Sequence, residues 1–154
     1  MVDNTEFIYD LGVVGLGYVG LPLAVEAANC GLNVLGYDIN SERVQLINEG
    51  NSPIEDISNE ELSKSQQNLH VTTENKELSN CNNIVISVPT PLTDYQPDLS
   101  YVINAAKTVG ENLVQNQVVI LESTTYPGTT IEVLIPNLEK ISGMKAGDDF
   151  FVGY

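Results

Sequence analysis

Short β-branched runs alternate along this chain with longer stretches of helical periodicity. Leu11 to Gly15 is apolar and β-branched, as a strand buried on both faces reads. Met1 to Asp10 is a polar arm before it, and Phe7, Ile8 and Tyr9 can extend the strand. Leu21 to Cys30 is an apolar helical run that Gly31 ends. Asn33 to Asp38 predicts a second strand with an acid at its C-terminal end. Ser41 is the expected N-cap of a helix reaching about Glu49, closed by Gly50. After a loop from Asn51 to Ile57, Asn59 to Asn68 is a polar helix and His70 to Thr73 a short third strand. Glu74 to Asn80 predicts a brief helix, and Ile84 to Val88 a strongly apolar strand stopped by Pro89.

The second half continues the alternation. Leu92 to Gln96 is a polar loop, and Ser100 is the expected cap of a helix to about Leu113, with Val102, Ile103, Ala106 and Val109 as its apolar stripe. Val118 to Leu121 is the next strand. Thr129 or Thr130 opens a further helix, in which Pro136 should form a kink and which Gly143 ends. Phe150 to Val152 is a last strand. Six strands with helices between most of them predict an α/β fold: an open, mostly parallel sheet covered on both faces.

The first strand–helix junction carries the chemistry. Gly15, Gly17 and Gly20 have G-x-G-x-x-G spacing between that strand and that helix. Gly15 permits the tight turn, Gly17 lets a pyrophosphate approach bare backbone, and Gly20 lets the helix pack on the strand. The backbone N–H groups near Tyr18 and Val19, at the positive end of the helix, would face the phosphates. Asp38 lies 18 residues beyond Gly20, where a carboxylate can accept hydrogen bonds from a ribose diol and repel a 2′-phosphate. NAD is therefore the expected cofactor. The unit is a Rossmann-type dinucleotide fingerprint, so the expected doubly wound sheet order is 3-2-1-4-5-6, with the cofactor over strands one and four. Arg43, on the first turn of the next helix, either lies over the adenosine or is an ordinary surface arginine.

Two further loops leave the C-terminal ends of strands, where the ligand crevice of such a sheet lies. In Pro89-Thr90-Pro91, two prolines fix the backbone around a hydroxyl that could bond the cofactor. Glu122 to Gly128 is a second hydroxyl-rich loop.

Composition narrows the partners. The chain has 154 residues, 42% of them apolar, enough for one domain with a core. Acids outnumber bases 21 to 6, a net charge of −15 that argues against nucleic acid and anionic membranes. No apolar run is long enough to span a bilayer and no leader pattern is present, so a cytoplasmic protein is the expectation. Cys30 and Cys81 lie 51 residues apart, with a single histidine, His70, in the chain. That set makes no metal site of ordinary spacing; both cysteines read as reduced packing residues and His70 as structural.

The motifs together resemble the N-terminal NAD-binding domain of the nucleotide-sugar 6-dehydrogenases, the UDP-glucose/GDP-mannose dehydrogenase family. The matching residues are V-V-G-L-G-Y-V-G-L-P-L-A at Val13 to Ala24, G-Y-D-I-N at Gly36 to Asn40, S-V-P-T-P at Ser87 to Pro91, P-D-L-S at Pro97 to Ser100, and E-S-T-T-Y-P-G-T-T at Glu122 to Thr130. The resemblance runs from about Leu11 to Tyr154. It implies an enzyme that oxidises C6 of a UDP-sugar from alcohol to carboxylate with two NAD, through a thiohemiacetal on a cysteine, to supply surface-polysaccharide precursors. It also implies that Tyr18 and Val19 meet the pyrophosphate through their backbone and that Asp38 and Arg43 hold the adenosine ribose. By the same resemblance Thr90 and Thr124 lie at the cofactor, and Thr124 also helps hold a water near the reacting carbon. Tyr126 before Pro127, and the run from Pro136 to Tyr154, are similar to the UDP-N-acetylhexosamine branch, with UDP-glucose or GDP-mannose as the alternative.

The family's nucleophilic cysteine, with its lysine and asparagine, has no match here, nor have the central helix of the family's homodimer and the UDP-sugar-binding domain. The expectation is a fragment, residues 1–154 of a longer enzyme, that binds NAD weakly and is inactive by itself. Two alternatives stay open: a non-catalytic NAD-sensing module, and another Rossmann-type dehydrogenase acting on hydroxy acids.

Overall fold

A computed structural model describes residues 6–93 and 96–154, the side chains of Thr93 and Gln96 excepted. The first five residues of the N-terminal arm and the middle of the Leu92–Gln96 segment lie outside the described residues. The strands are β1 (Tyr9–Val14), β2 (Val34–Tyr37), β3 (Leu69–Thr72), β4 (Cys81–Ile86), the short β5 (Leu92–Thr93) and β6 (Gln96–Pro97), then β7 (Val118–Leu121) and β8 (Phe151–Gly153). The helices are α1 (Gly20–Asn29), α2 (Ser41–Asn48), α3 (Asn59–Ser65), α4 (Ser100–Gly110) and α5 (Ile135–Ser142). Six strands pair in the order β3-β2-β1-β4-β7-β8, every pair parallel. This is the expected doubly wound order. The segment expected as a plain loop pairs β5 with β6 as a small antiparallel ribbon.

Period-two alternation sends each strand into two cores. Val13, Val34 and Val71 pack with Leu21, Ala24, Val25 and Ala28 of α1, with Val44 and Ile47 of α2 and with Leu62 of α3. Their neighbours Val14, Leu35 and Tyr37 face the other way, with Ile84, Ile86, Val119 and Leu121, under Val102, Ala106 and Val109 of α4 and Leu138 of α5. One strand residue thus serves one helical layer and the next serves the opposite one. Truncating such a buried leucine to alanine costs about 2–5 kcal/mol.

Helix ends differ from expectation at three places. Asn40, not Ser41, caps α2: its side chain accepts from Arg43 N at 3.0 Å. Ser100 lies inside α4, and the carboxylate of Asp98 accepts its N–H at 2.9 Å. Ahead of Pro136 the chain makes a π turn, Thr130–Leu134, in which Ile135 N reaches back to Thr130 O. The wide turn puts Pro136 in the first turn of α5, where a missing N–H costs least. Gly143, with φ of 73°, ends α5 as expected.

The lone histidine has a packing role. Its ring stacks on Tyr9 with centroids 6.2 Å apart, and Nε2 lies 3.3 Å from Glu77. No helix among the described residues is long and apolar enough to cross a membrane.

The two thiols differ sharply. Cys30 is exposed at the end of α1, whereas Cys81 is fully buried against Gly12, where a Cβ would meet its sulfur at 2.7 Å. Burial first, and the Glu77 carboxylate second, push the Cys81 thiol up to about 12. The folded state thus holds this proton more tightly than the unfolded chain. Its contribution to stability is complete below the ordinary thiol value and is lost as pH rises from there toward about 12. A thiol-reactive disulfide reagent at pH 8 should titrate one thiol in the native protein and two in denaturant. Cys30→Ser should abolish the native signal, and rapid native modification of Cys81 would contradict the buried placement.

Candidate functional site: the β1–α1 turn and the loops beside it

β1 leaves the sheet at Val14, and Gly15 turns the chain with φ of +93°, a conformation that favours glycine. The turn is held from both sides. Gly15 N donates to Tyr37 O of β2 at 2.9 Å. Gly15 O accepts from Ser87 Oγ, just past β4, also at 2.9 Å. Gly20 starts α1 in close contact with this point: a Cβ there would overlap Gly15 O and Ser87 Oγ. At Gly17 the opposite holds, and nothing lies within 4 Å of an added Cβ. One glycine therefore serves packing and the other leaves clear space, as their places in the fingerprint predict.

The start of α1 is open to a ligand. No side chain caps it, and its first turn carries no acid. Pro22, in that turn, supplies helical φ where its missing donor matters least. Tyr18 and Val19 are both exposed. An uncapped helix start next to bare glycine backbone binds anions through orphan N–H groups and the positive dipole end.

Asp38 follows β2 and reaches across the same turn. Its Oδ2 accepts from Leu16 N at 2.8 Å, inside the glycine sequence, and from Arg43 Nη1 at 2.9 Å. Oδ1 accepts from Asn40 N at 2.9 Å. The residue is only 4% exposed, so these three bonds are what keeps a buried carboxylate affordable. Sequence placed Asp38 and Arg43 in the site; it did not show that they pair with each other, nor that Leu16 anchors them.

The two hydroxyl loops are fastened together. Ser123 Oγ donates to Val88 O at 2.8 Å, and Thr90 Oγ1 to Thr124 O at 2.5 Å. The Thr90 proton is thus spent on the neighbouring loop, and only its lone pairs can face a ligand. Thr124 is exposed, while the buried Oγ1 of Thr125 has no partner. The residues expected in the site therefore gather beyond the C-terminal ends of β1, β2, β4 and β7, with Gly20 and Arg43 in the first turns of α1 and α2. Ser87 and Ser123, which join these ends, were missed; their partners are backbone carbonyls 72 and 35 residues away, with no local signature. No group of three acidic, histidine or cysteine side chains among the described residues could hold a metal.

Residues 9–154 match the sequence profile of the UDP-glucose/GDP-mannose dehydrogenase family, NAD binding domain. The chain belongs to this family. It is 41% identical over 145 residues to the UDP-N-acetyl-D-glucosamine 6-dehydrogenase of Pseudomonas aeruginosa, covering 94% of this chain and 34% of that protein. Among solved structures it superposes on the UDP-D-ManNAc dehydrogenase of Pyrococcus horikoshii with a TM-score of 0.85 at 41% identity, over 92% of this chain and 34% of that one. The GDP-mannose dehydrogenase of Pseudomonas aeruginosa, solved as a ternary complex, gives a TM-score of 0.87 at 33% identity, over 93% and 35%. The chain spans about a third of the length of these relatives and corresponds to the family's NAD-binding domain. Membership decides against the hydroxy-acid dehydrogenases as an alternative.

The site's close packing is testable. Gly20→Ala should destabilise the domain by about 2–3 kcal/mol in chemical denaturation, because the new methyl meets fixed backbone. A midpoint unchanged from the unaltered chain would contradict the contact.

Proposed function

We propose that this chain binds NAD at the β1–α1 turn and serves as the cofactor half of an enzyme that oxidises C6 of a UDP-N-acetylhexosamine. The observation that carries the reading is the clear space at Gly17 beside the uncapped start of α1, with Asp38 bonded over the same turn. The group fits these residues. Backbone N–H groups at Tyr18 and Val19 meet the pyrophosphate, and Asp38, with Arg43 beside it, meets the adenosine ribose. A 2′-phosphate there would face the Asp38 carboxylate. Bound NAD supplies a hydride acceptor for the sugar alcohol. Thr90 and Thr124, clamped at the ends of β4 and β7, orient that end of the site, and Thr124 holds a water near the reacting carbon. The nucleophilic cysteine, the contacts to the sugar nucleotide and the elements that make a homodimer belong to the remainder of a full-length enzyme.

The sugar assignment is supported by two relatives at 41% identity whose names carry N-acetylhexosamine substrates, and by the Tyr126-Pro127-Gly128 form of the second loop. UDP-glucose and GDP-mannose are the competing substrates. A precursor role in surface polysaccharide and a cytoplasmic setting are part of the same proposal.

A full-length enzyme carrying this domain should reduce NAD with a UDP-N-acetylhexosamine in preference to UDP-glucose or GDP-mannose, while residues 1–154 alone reduce none. Preference for UDP-glucose would overturn the sugar assignment, and turnover by the isolated chain would overturn the division of labour. In titrations of this chain NAD should bind on the order of tenfold or more tighter than NADP. Gly17→Ala should keep the thermal midpoint within about 2 °C, since its methyl enters open space, yet weaken NAD more than about tenfold. NAD binding undiminished by that methyl would remove the turn from the site.

A further inference from the structure

We propose that Arg43 stands in for the adenosine ribose: in the free protein its guanidinium occupies one seat of the diol on Asp38, and cofactor binding exchanges the two. The inference rests on the reading that the adenosine ribose of NAD meets Asp38.

An ionised carboxylate offers about four acceptor positions. In Asp38, Oδ2 spends two on Leu16 N and Arg43 Nη1, and Oδ1 spends one on Asn40 N. One position is left, and a vicinal diol that donates twice needs two. The side chain is 5% exposed in the presence of Arg43, so the second position cannot be reached from outside while the ion pair holds.

The three partners are not equally removable. Leu16 N belongs to the glycine turn, which is fastened to β2 and β4 through Gly15. Asn40 N belongs to the cap of α2. Neither can leave without moving main chain of the glycine turn or of the α2 cap. Arg43 alone bonds through a long flexible side chain, and that side chain is 35% exposed. Its backbone stays put, because Arg43 N donates to Asn40 Oδ1 at 3.0 Å. The guanidinium can swing from a fixed Cα while Leu16 and Asn40 hold the carboxylate in place.

Such an exchange has a physical purpose. A buried carboxylate stripped of its cation is costly. Arg43 satisfies it until a ligand arrives, so the site is preorganised without carrying an unpaired charge. The cost is that affinity reports a difference between two sets of bonds rather than the full value of the new one.

The test compares ADP with 2′,3′-dideoxy-ADP, read by chemical-shift titration, on the unaltered chain and on Arg43→Ala. If the diol displaces Arg43, losing the diol should weaken binding about fivefold more in Arg43→Ala than in the unaltered chain, the worth of one hydrogen bond no longer offset. If Arg43 is instead a fixed partner of the ribose, the diol should matter equally or less in the variant, which would overturn the proposal. A crystal structure of the unaltered chain with NAD provides a second readout that needs no variant. A ribose oxygen should stand where Arg43 Nη1 stood, with the guanidinium beyond hydrogen-bond reach of Oδ2. Persistence of the 2.9 Å Arg43–Asp38 bond beside a bound ribose would overturn the exchange while leaving the NAD site intact. Failure of the unaltered chain to bind either NAD or ADP would overturn the underlying reading, and the exchange with it.

Discussion

A buried carboxylate bonded across a glycine turn is the constraint on which this structure depends. Asp38 accepts from Leu16 N, Asn40 N and Arg43 Nη1 while almost wholly out of water. Two of those donors are main-chain groups, of the β1–α1 turn and of the entry to α2, and the third is a side chain from the first turn of α2. The charge therefore pulls three local structures onto one point. Removing a donor without a replacement leaves an under-satisfied ion in a low-dielectric place.

Gly15 extends that point across the sheet. Its N–H is held by β2 and its carbonyl by Ser87 beyond β4, so the turn is suspended between the strands on either side of β1. Ser123 and Thr90 continue the same construction one strand further, fastening the loop after β7 to the loop after β4. The crevice is thus walled by loops that are irregular in shape yet tied at their bases by hydroxyl-to-carbonyl bonds. A protein of net charge −15 that is to receive an anionic dinucleotide needs this locality. The uncapped helix start supplies positive potential locally, over a range at which more distant surface acids are screened.

Interaction and conformation meet again at the far edge of the sheet. Pro136 could have kinked a continuous helix after β7; instead a π turn takes up the extra residue, and the proline falls where a donor is dispensable. α5 then reaches α4 closely, with Ile141 against Gly110. This packing supports β7 and β8, and through β7 the loop that presents Thr124.

Much of this was determined by the sequence alone. β-branched runs separated by helical periods are enough for a doubly wound parallel sheet, because parallel neighbours need crossovers and buried strands read apolar throughout. The three glycines and the acid at 38 stand out in the sequence as a candidate cofactor site, since their spacing follows from the geometry of a strand, a turn and a helix within one continuous stretch. Tertiary structure decided what depends on partners distant in the chain. That Asp38 holds Leu16 and Arg43 at once, that Ser87 grips Gly15 from 72 residues away, and that the Thr90 proton goes to Thr124 O are outcomes of strand order and register. So is the difference between Gly17, with open space before it, and Gly20, pressed on backbone. A hydrogen bond to a main-chain carbonyl leaves no trace in residue type at the acceptor, so only folding reveals it.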